Sequence, residues 1–365
     1  MHDISLPDSP IARRFGRILE VGEHCLIGRA LPSRTDYVCT HLSRALDSLP
    51  SDLRQLEPMA AIRALRAGSY GLVIAHAPAY AGLRASILRF AVQRPFRRMP
   101  ILALRSNRTR LVPRHIPVII LDLEDAPIVY ANNLALLDRA LLCYKRELPA
   151  DRARVFMQAR APALPEAAPR LGEAMVARLA KLRPISTGLS DAVLAEAPQQ
   201  PAAKTADIFF AGRIAGSSTL RQSGSVELIQ LASRGVKVDF ATQRLALPDF
   251  LKHAAAARLV WSPEGYAHEC FRHLEAAACW SVPVINTPGI ERHKPLRQGI
   301  HALYYNVEPG GLTKAVMEGL RQPERLSKMS RAAHRHALRH HSAAALTRHI
   351  LGEVAALLDG SPVRG

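Results

Sequence analysis

The sequence predicts an α/β protein built from two Rossmann-like, doubly wound domains, and three observations support this fold class. Short runs rich in Val, Ile and Leu alternate with longer segments of helical periodicity, as in parallel sheets covered by helices. The alternation occurs twice, on either side of an Ala- and Pro-rich stretch at 161–205. A length of 365 residues with a 48% apolar share suits two ordinary cores and excludes disordered and fibrous classes.

In the first half, short apolar runs predict the strands of an N-terminal domain over 1–160. The run at 115–125 is the most regular, and a helix is predicted after it over 132–148, with Asn132 or Asn133 near its cap. The other candidate strands are 18–22, 70–76 and 99–106. Ala-, Leu- and Arg-rich segments with helical spacing separate these runs, which predicts βαβ units on a parallel sheet.

The second half repeats the alternation more regularly and predicts a C-terminal domain over 206–330. Its predicted strands are 207–212, 236–242, 258–263 and 282–288. Its predicted helices are 225–235, 247–257 and 269–280. The segment at 161–205 is predicted to connect the domains, with one helix at 172–182, and a basic helical tail is predicted over 331–365. Two such domains are expected to face each other across a cleft.

The net charge and the cysteines bear on the partners and the compartment of the protein. Because 49 Lys and Arg outnumber 31 Asp and Glu, the net charge is +18, which attracts nucleic acid, anionic lipid headgroups or phosphorylated substrates alike. The five cysteines include no C-x-x-C pair and are expected to be buried thiols in a reducing compartment. Since no run of about 18 uncharged apolar residues occurs, a soluble, cytoplasmic protein is expected.

The segment at 258–288 contains the most specific pattern in the chain. A predicted strand ends at Ser262, a Gly-bearing loop follows, and a helix starts near Glu269, so the loop lies where α/β domains bind ligands and anions. Arg272 and Glu275 share a face of that helix, where one could bind a diphosphate and the other could accept hydrogen bonds from ribose hydroxyls. The alternative is an exposed salt bridge. The surrounding small apolar residues predict a buried helix, where unpaired charges are costly.

Taken in order, these motifs resemble the C-terminal half of glycosyltransferases with the GT-B fold, especially the exostosin-like and spore-coat-type bacterial family. The family pattern is SP-x-G, R-x-x-E, a small-residue helix and G-x-P-V-I, represented here by Ser262, Pro263, Gly265, Arg272, Glu275, Ser281, Pro283, Val284 and Ile285. Further matches are DIFFAGR at 207–213, PLRQGIHALYY at 295–305, LDLEDAP at 121–127 and YKREL at 144–148. The resemblance covers about 120–340.

The resemblance implies sugar transfer from a nucleotide-diphosphate donor, bound mainly by the C-terminal domain, to a glycan or lipid-linked acceptor on the N-terminal domain. Glu275 would hold the donor ribose, and Arg272 would bind the diphosphate and stabilise it as the leaving group. Gly212 and Arg213 would approach the phosphates from the other side, although a turn with a surface Arg explains them equally well. The loop at 262–268 would contact the sugar or a phosphate through Ser262, Glu264, Gly265 and His268.

The stereochemical outcome stays open, because many retaining members carry two Glu residues separated by seven and this chain has Ala267 at the partner position of Glu275. An inverting reaction needs a base that takes the acceptor hydroxyl proton. The catalytic candidates in the first domain are His24 and Asp125. The other candidates are Glu23, His76 and the acidic residues Asp122 and Glu124, for several of which a structural role is the simpler interpretation.

No metal-binding motif or phosphate-binding loop appears, so a metal-independent enzyme is expected, with the nucleotide sugar as co-substrate and no cofactor. The histidines at 334, 336, 340 and 341 lie among Arg residues that disfavour a cation, and a solvated basic helix is the simpler interpretation. That helix could instead contact anionic lipid, in which case the protein would be peripheral to the inner membrane face.

Two other functions remain as alternatives. A non-enzymatic polyanion- or nucleic-acid-binding protein would explain the charge, but aromatic residues make up only 5% of the chain, so no specific nucleic-acid partner is expected. A catalytically degenerate GT-B protein would bind a sugar nucleotide without transferring the sugar. Product formation separates this alternative from an enzyme.

Overall fold

The computed structural model of the chain describes residue 6 and residues 9–40, 49–77, 112–161, 164–167, 172–214 and 218–360. The chain forms two compact units. The first consists of Met1–Ile185 together with Leu346–Gly365, and the second consists of Ser186–Ala345. Each unit contains a parallel sheet and helices, as the sequence predicts.

The first unit is built on a seven-stranded sheet of order β3-β2-β1-β4-β5-β6-β9, in which all neighbouring strands are parallel. A separate antiparallel hairpin is formed by β7 and β8. Among the residues that the structure describes, the strands of this unit are β1 Ile18–Gly22, β2 Thr35–Cys39, β3 Arg54–Gln55, β4 Leu72–His76, β5 Val118–Asp122, β6 Leu142–Lys145, β7 Gln158–Ala161, β8 Leu164–Ala167 and β9 Leu182–Pro184. The central strands are buried along their whole length, because helices cover parallel sheets on both faces.

The second unit contains a five-stranded parallel sheet of order β11-β10-β12-β13-β14. Its strands are β10 Ala206–Ala211, β11 Val238–Ala241, β12 Ala257–Trp261, β13 Val282–Asn286 and β14 Leu303–Tyr305. Alternate residues face opposite sides, so that Val260 joins one apolar core while Leu259 and Trp261 join the other. The strand order reverses between β10 and β12, which opens a crevice at the carboxyl ends of these strands.

The α-helices of the described ranges are α1 Pro10–Arg14, α2 Ile27–Ala30, α3 Pro58–Arg66, α4 Leu134–Arg139, α5 Glu173–Ala180, α6 Asp191–Glu196, α7 Thr219–Ser233, α8 Leu247–Ala256, α9 Phe271–Ala278, α10 Gly311–Leu320, α11 Pro323–His341 and α12 Ala343–Leu358. None of them combines the length and the hydropathy needed to span a membrane. Most of α12 belongs to the first unit, where Glu353 bonds to Tyr144 and Arg183. All five cysteines are thiols; Cys25, Cys143 and Cys279 are buried as the sequence predicts, whereas Cys39 and Cys270 are half-buried.

The helix predicted over 132–148 is wrong. The chain leaves the helical conformation at Ala140, after α4, and then forms β6. Leu142–Lys145 pairs with β5 on one side and β9 on the other, and this pairing satisfies the backbone groups that a helix would have bonded internally. The apolar residues of this run have helical spacing, which was misleading because the pairing partners are distant in sequence.

Other elements differ in their limits. The strand β2 was missed because its charged Asp36 breaks the apolar pattern, yet this carboxylate is buried and bonded to Arg54 and Tyr70. The helix predicted from 225 begins six residues earlier, at Thr219. The strand predicted at 99–106 lies outside the described residues. The other predicted strands of both sheets are confirmed within a few residues of their expected ends.

Candidate functional site

The candidate site of the second unit lies at the carboxyl ends of β10, β12 and β13. Gly212 follows β10, the loop at 262–270 follows β12, and α9 begins immediately after that loop. This is the position at which the strand order reverses. Two Arg side chains, a Glu and two Gly residues meet there.

Arg272 occupies the first turn of α9 and has the least satisfied guanidinium of the site. Its Cζ lies 5.4 Å from the centroid of the Phe210 ring, a cation–π contact that stabilises the charge without using its N–H donors. Its Nε and Nη2 atoms are buried and have no hydrogen-bond partner. An unpaired buried donor costs about 1–3 kcal/mol, and more when it belongs to a charged group. These N–H groups are therefore suited to an anionic ligand.

Arg221, from the first turn of α7, brings a second positive charge to the same place. Its Nε donates to the Glu264 carbonyl oxygen at 3.1 Å, and its Nη1 lies 3.5 Å from the Arg213 carbonyl oxygen. Burial, and then the charge of Arg272, lower the pKa of Arg221 below its usual value. Neither guanidinium forms an ion pair with a described carboxylate. The two side chains therefore concentrate positive charge at a partly buried position, which favours an anion that carries more than one charge.

Gly212 and Gly265 leave the space that these guanidinium groups occupy. A Cβ atom at Gly265 would lie 2.6 Å from Arg221 Nη2, and one at Gly212 would lie 3.3 Å from Arg272 Nη1. Both residues thus allow the backbone to approach the charged groups closely. The side chain of Arg213 is exposed. Arg213 contacts Arg221 through its backbone carbonyl oxygen.

Glu275 lies one turn after Arg272 on α9. Burial raises the pKa of its carboxyl, while the charges of Arg272 and Arg244 oppose that effect. Within the described ranges its carboxylate accepts no hydrogen bond. A half-buried acceptor thus lies one helical turn from Arg272, and the assignment of a ribose to Glu275 and of a diphosphate to Arg272 stays a prediction.

Ser262 and Glu264 hold the loop after β12 in place. Ser262 is buried, and its Oγ lies 2.7 Å from His273 Nδ1. Glu264 and Asn286 bond reciprocally, since the Glu264 N–H donates to Asn286 Oδ1 at 2.9 Å and Asn286 Nδ2 donates to Glu264 Oε2 at 3.0 Å. These contacts tie the loop after β12 to the end of β13 and so position Gly265.

His268 lies near the end of the same loop. Its carbonyl oxygen accepts a hydrogen bond from Arg292 Nη2 at 2.8 Å. Arg292 also approaches His273 Nε2, at 3.2 Å, and thereby joins the network that holds Ser262. The His268 ring lies near the backbone of Gly289, where a Cβ atom would be 3.8 Å from its Nε2.

In the first unit, the predicted catalytic residues lie at the carboxyl ends of β1 and β5. His24 is exposed. Asp125 is also exposed, and its carboxylate accepts a hydrogen bond from Arg146 Nη1 at 2.5 Å. Its neighbour Glu124 is the more unusual acid, because burial and then the charge of Asp122 raise its pKa to about 7.

His76 and Glu20 form a buried pair that the sequence did not indicate. His76 Nε2 lies 3.0 Å from Glu20 Oε1, and the carboxylate also accepts the N–H groups of Leu26, Ile27 and Gly28. Burial alone would raise the pKa of Glu20, but the hydrogen bond from His76 and those from the backbone lower it overall. The ionised carboxylate requires the His76 proton on Nε2, and Nδ1 is buried without a hydrogen-bond partner.

Among the residues that the structure describes, no group of three or more His, Cys, Asp or Glu side chains could hold a metal ion. The tail histidines pack against protein groups. His334 stacks on Trp280 with ring centroids 3.6 Å apart, whereas His336 and His341 contact the Lys294 carbonyl oxygen.

Comparison with solved structures places this architecture in a known fold. A glycosyltransferase from Rickettsia africae superposes with a TM-score of 0.54 at 8% identity, over 94% of this chain and 99% of the other. Sucrose-phosphate synthase from Thermosynechococcus elongatus gives 0.51 at 10% identity, over 94% and 100%. HepE from Anabaena, solved with UDP and glucose, gives 0.50 at 12% identity, over 93% and 100%.

The chain has the GT-B fold. No protein-family model and no curated protein sequence matches it. The narrower likeness to the exostosin-like and spore-coat-type family therefore stays a prediction. Identities of 8–12% show the fold alone, so that the chemistry must be argued from the residues of this chain.

Sequence reasoning missed Arg221 at this GT-B site. The residue lies in the segment that was expected to be a loop, because Ser and Gly residues around it weaken the helical pattern. A usable signal was present: Arg221 lies near the start of the helix that follows the first strand of the second unit, where helix N-termini bind anions. Its position beside Arg272 depends on packing between distant segments, which no local sequence pattern indicates.

Proposed function

We propose that this chain is a glycosyltransferase that transfers a sugar from a nucleotide-diphosphate donor to a glycan or lipid-linked acceptor, in peripheral contact with an anionic membrane. The observation that carries the proposal is the pair Arg221 and Arg272. Two guanidinium groups without carboxylate partners meet at the carboxyl ends of parallel strands, and Arg272 keeps two buried donors unsatisfied. A diphosphate is the donor group that such a pair fits.

Breaking the bond between the sugar and the diphosphate places negative charge on the leaving phosphate. Arg272 and Arg221 are already in position to bind this charge, so that little reorganisation is needed at the moment of reaction. The Glu275 carboxylate, one turn further along α9, would accept hydrogen bonds from the ribose hydroxyls. UDP is the first nucleotide to test, since the HepE structure contains UDP and glucose.

The two guanidinium groups also supply the positive charge that many phosphoryl- and glycosyl-transfer sites take from a divalent cation. We therefore propose a metal-independent reaction with no cofactor besides the donor. Nucleotide binding should survive EDTA.

For an inverting transfer, we propose His76 as the base that takes the acceptor hydroxyl proton. Its Nε2 donates to Glu20, which leaves the buried Nδ1 with a lone pair that accepts no hydrogen bond. Asp125 is the weaker candidate because its carboxylate is bonded to Arg146. His24 stays a candidate for acceptor contact, since it is exposed and its ring centroid lies 6.0 Å from that of His76.

Isothermal titration calorimetry with UDP, GDP, ADP, TDP and CMP, each with and without EDTA, tests the donor site. We expect one diphosphate to bind in EDTA, and we expect Arg221→Ala, Arg272→Ala and Glu275→Ala each to weaken that binding at least tenfold. The exposed Arg234, at the end of α7, provides the matched control Arg234→Ala, which should bind like the wild type. No binding by the folded protein, or equal binding by all variants, would reject the donor site.

Turnover separates an enzyme from a degenerate binding protein. Release of the nucleoside diphosphate from the matching nucleotide sugar should be measured with glycan and lipid-linked acceptors. We expect His76→Gln to lower kcat at least a hundredfold while donor affinity stays within twofold. A wild-type protein that binds the donor but never releases product with any acceptor would favour the degenerate alternative.

A further inference from the structure

The helix α11 presents a row of basic side chains to solvent. Its exposed cations recur every three or four residues and therefore lie on one face: Arg325, Lys328, Arg331, Arg335 and Arg339. The opposite side of α11 is buried in the second unit through Leu326, Met329, Ala333 and Ala337. The basic side chains are therefore held in one orientation by a packed helix.

The loop before β14 extends this row. Lys294 and Arg297 are exposed, and the loop is attached to α11 because His336 Nε2 lies 2.7 Å from the Lys294 carbonyl oxygen and the rings of His301 and His336 are 4.2 Å apart. These two residues and the five of α11 are called the basic face. None of the seven forms an ion pair with a described residue, and Glu324 is the acidic residue exposed on α11. The charge is thus available to an external anion.

Two exposed aliphatic side chains accompany these charges. Ile300, in the loop, is 44% exposed, and Leu338, on α11, is 39% exposed. Aliphatic side chains among Lys and Arg suit the headgroup region of a bilayer, where both kinds of group are accommodated. A surface that binds single-stranded nucleic acid would instead be expected to offer aromatic side chains for stacking, and α11 contains none.

We propose that the basic face is the surface with which this protein docks onto an anionic phospholipid bilayer. Each Lys or Arg near such a surface adds to the attraction for anionic headgroups, so a row of seven supports reversible binding even if only some make contact. The helix is about 28 Å long at 1.5 Å per residue, which allows its cations to contact several headgroups at once. This inference deepens the proposed function, because a lipid-linked acceptor would be reached from such a membrane.

Co-sedimentation of the full chain with vesicles tests the surface. One set of vesicles is phosphatidylcholine alone, and the other contains about one third phosphatidylglycerol to give the negative surface potential. We expect binding to the anionic vesicles only, with a steep decrease as salt is raised. The variant Arg331→Gln/Arg335→Gln/Arg339→Gln should reduce the partition coefficient at least tenfold.

A matched control removes the same charge elsewhere on the second unit, at the exposed positions Arg234, Lys237 and Lys252, each changed to Gln. This control should bind vesicles within about twofold of the wild type, because it leaves the basic face intact. Equal losses in both variants would mean that net charge alone drives binding, and the proposal would be wrong. Equal binding to neutral vesicles, or tighter and sequence-selective binding to nucleic acid at the same ionic strength, would also overturn it.

Donor binding is measured on the same samples. Both triple variants should bind the nucleoside diphosphate like the wild type, which shows that they are folded. If the wild type binds vesicles through the basic face but binds no nucleotide, the proposed enzymatic function fails while the membrane surface stands. If the wild type binds the nucleotide but not the vesicles, the proposed membrane surface is wrong while the proposed donor site stands.

Discussion

Arg272 shows at the scale of a residue how binding and stability can oppose each other. Its buried Nε and Nη2 have no partner, and Arg221 places a like charge nearby. Both features are unfavourable in the absence of ligand, since a buried donor loses its water without replacement. The contact with Phe210 offsets part of this cost. A diphosphate would supply the missing acceptors.

Replacing Arg272 by Met is therefore expected to leave the stability of the ligand-free protein unchanged or to raise it by about 1 kcal/mol, because an unpaired buried charge is removed while its volume is largely kept. Thermal unfolding without nucleotide should show an equal or higher Tm, and the increase in Tm that UDP causes in the wild type should disappear. A clearly lower Tm without ligand would instead indicate that Arg272 is a structural residue.

Gly265→Ala tests the space around the second guanidinium. The new Cβ would come 2.6 Å from Arg221 Nη2, the far end of a flexible side chain that can move aside. We expect a stability change below about 1 kcal/mol together with a donor affinity that falls at least fivefold, because the displaced Arg221 can no longer converge with Arg272. Calorimetry and urea unfolding on the same preparation measure the two effects. Unchanged affinity would argue against a role for Arg221.

At the scale of elements, α7 and α9 deliver the two arginines, and each helix is held by contacts of a different kind. The helix α7 packs closely on the sheet, where Gly224 faces the Trp261 ring. The helix α9 is fixed at its start by the bond between His273 and Ser262. Close packing of α7 therefore fixes the position of Arg221, and a small polar network fixes the position of Arg272.

Gly224→Ala is expected to destabilise the protein by about 1–3 kcal/mol, although Ala favours a helix over Gly by about 1 kcal/mol. Its Cβ would lie 2.2 Å from Trp261 Cζ2, and the Trp ring is fully buried and bonded through Nε1 to Tyr305. Urea unfolding measures the loss. The control is Gly352→Ala in α12, where a Cβ would meet no heavy atom within 4 Å and stability should rise or stay constant. A stabilised Gly224→Ala variant would contradict this packing.

At the scale of the whole molecule, a histidine cluster makes stability depend on pH. Burial, and then neighbouring charges, lower the pKa of His301 to about 4, and burial lowers that of His341 to about 3. In the unfolded chain both imidazoles would take up a proton near pH 6.5. Between pH 6.5 and about 4 the unfolded chain therefore holds protons that the folded chain lacks, and acidification favours unfolding.

The free energy of unfolding is thus expected to be fully retained above pH 6.5. Below pH 6.5 it is expected to fall by about 1.4 kcal/mol per pH unit for each such proton. Urea unfolding at pH 7.5, 6 and 5 measures the slope. His301→Gln should reduce the slope by the share of one proton, and His341→Gln should reduce it by the share of another. A slope that is the same in all three proteins would remove His301 from the explanation.

The amino-acid sequence by itself determined the α/β class, the approximate limits of seven of the fourteen described strands and the position of Arg272 and Glu275 on one helix face. These features depend on local spacing, since alternate residues of a strand and every third or fourth residue of a helix share a side. The motif at 262–275 could be recognised for the same reason. All of its members lie within one loop and the helix that follows it.

Only the tertiary structure decided the rest, because it joins residues that are far apart in sequence. Leu142–Lys145 is a strand rather than a helix because β5 and β9 lie on either side of it. Arg221 reaches the Arg272 site because α7 packs on Trp261, and Glu20 bonds to His76 because β1 and β4 are neighbours in the sheet. Burial and charge at these positions arise from packing between distant segments, which a local pattern of residues does not contain.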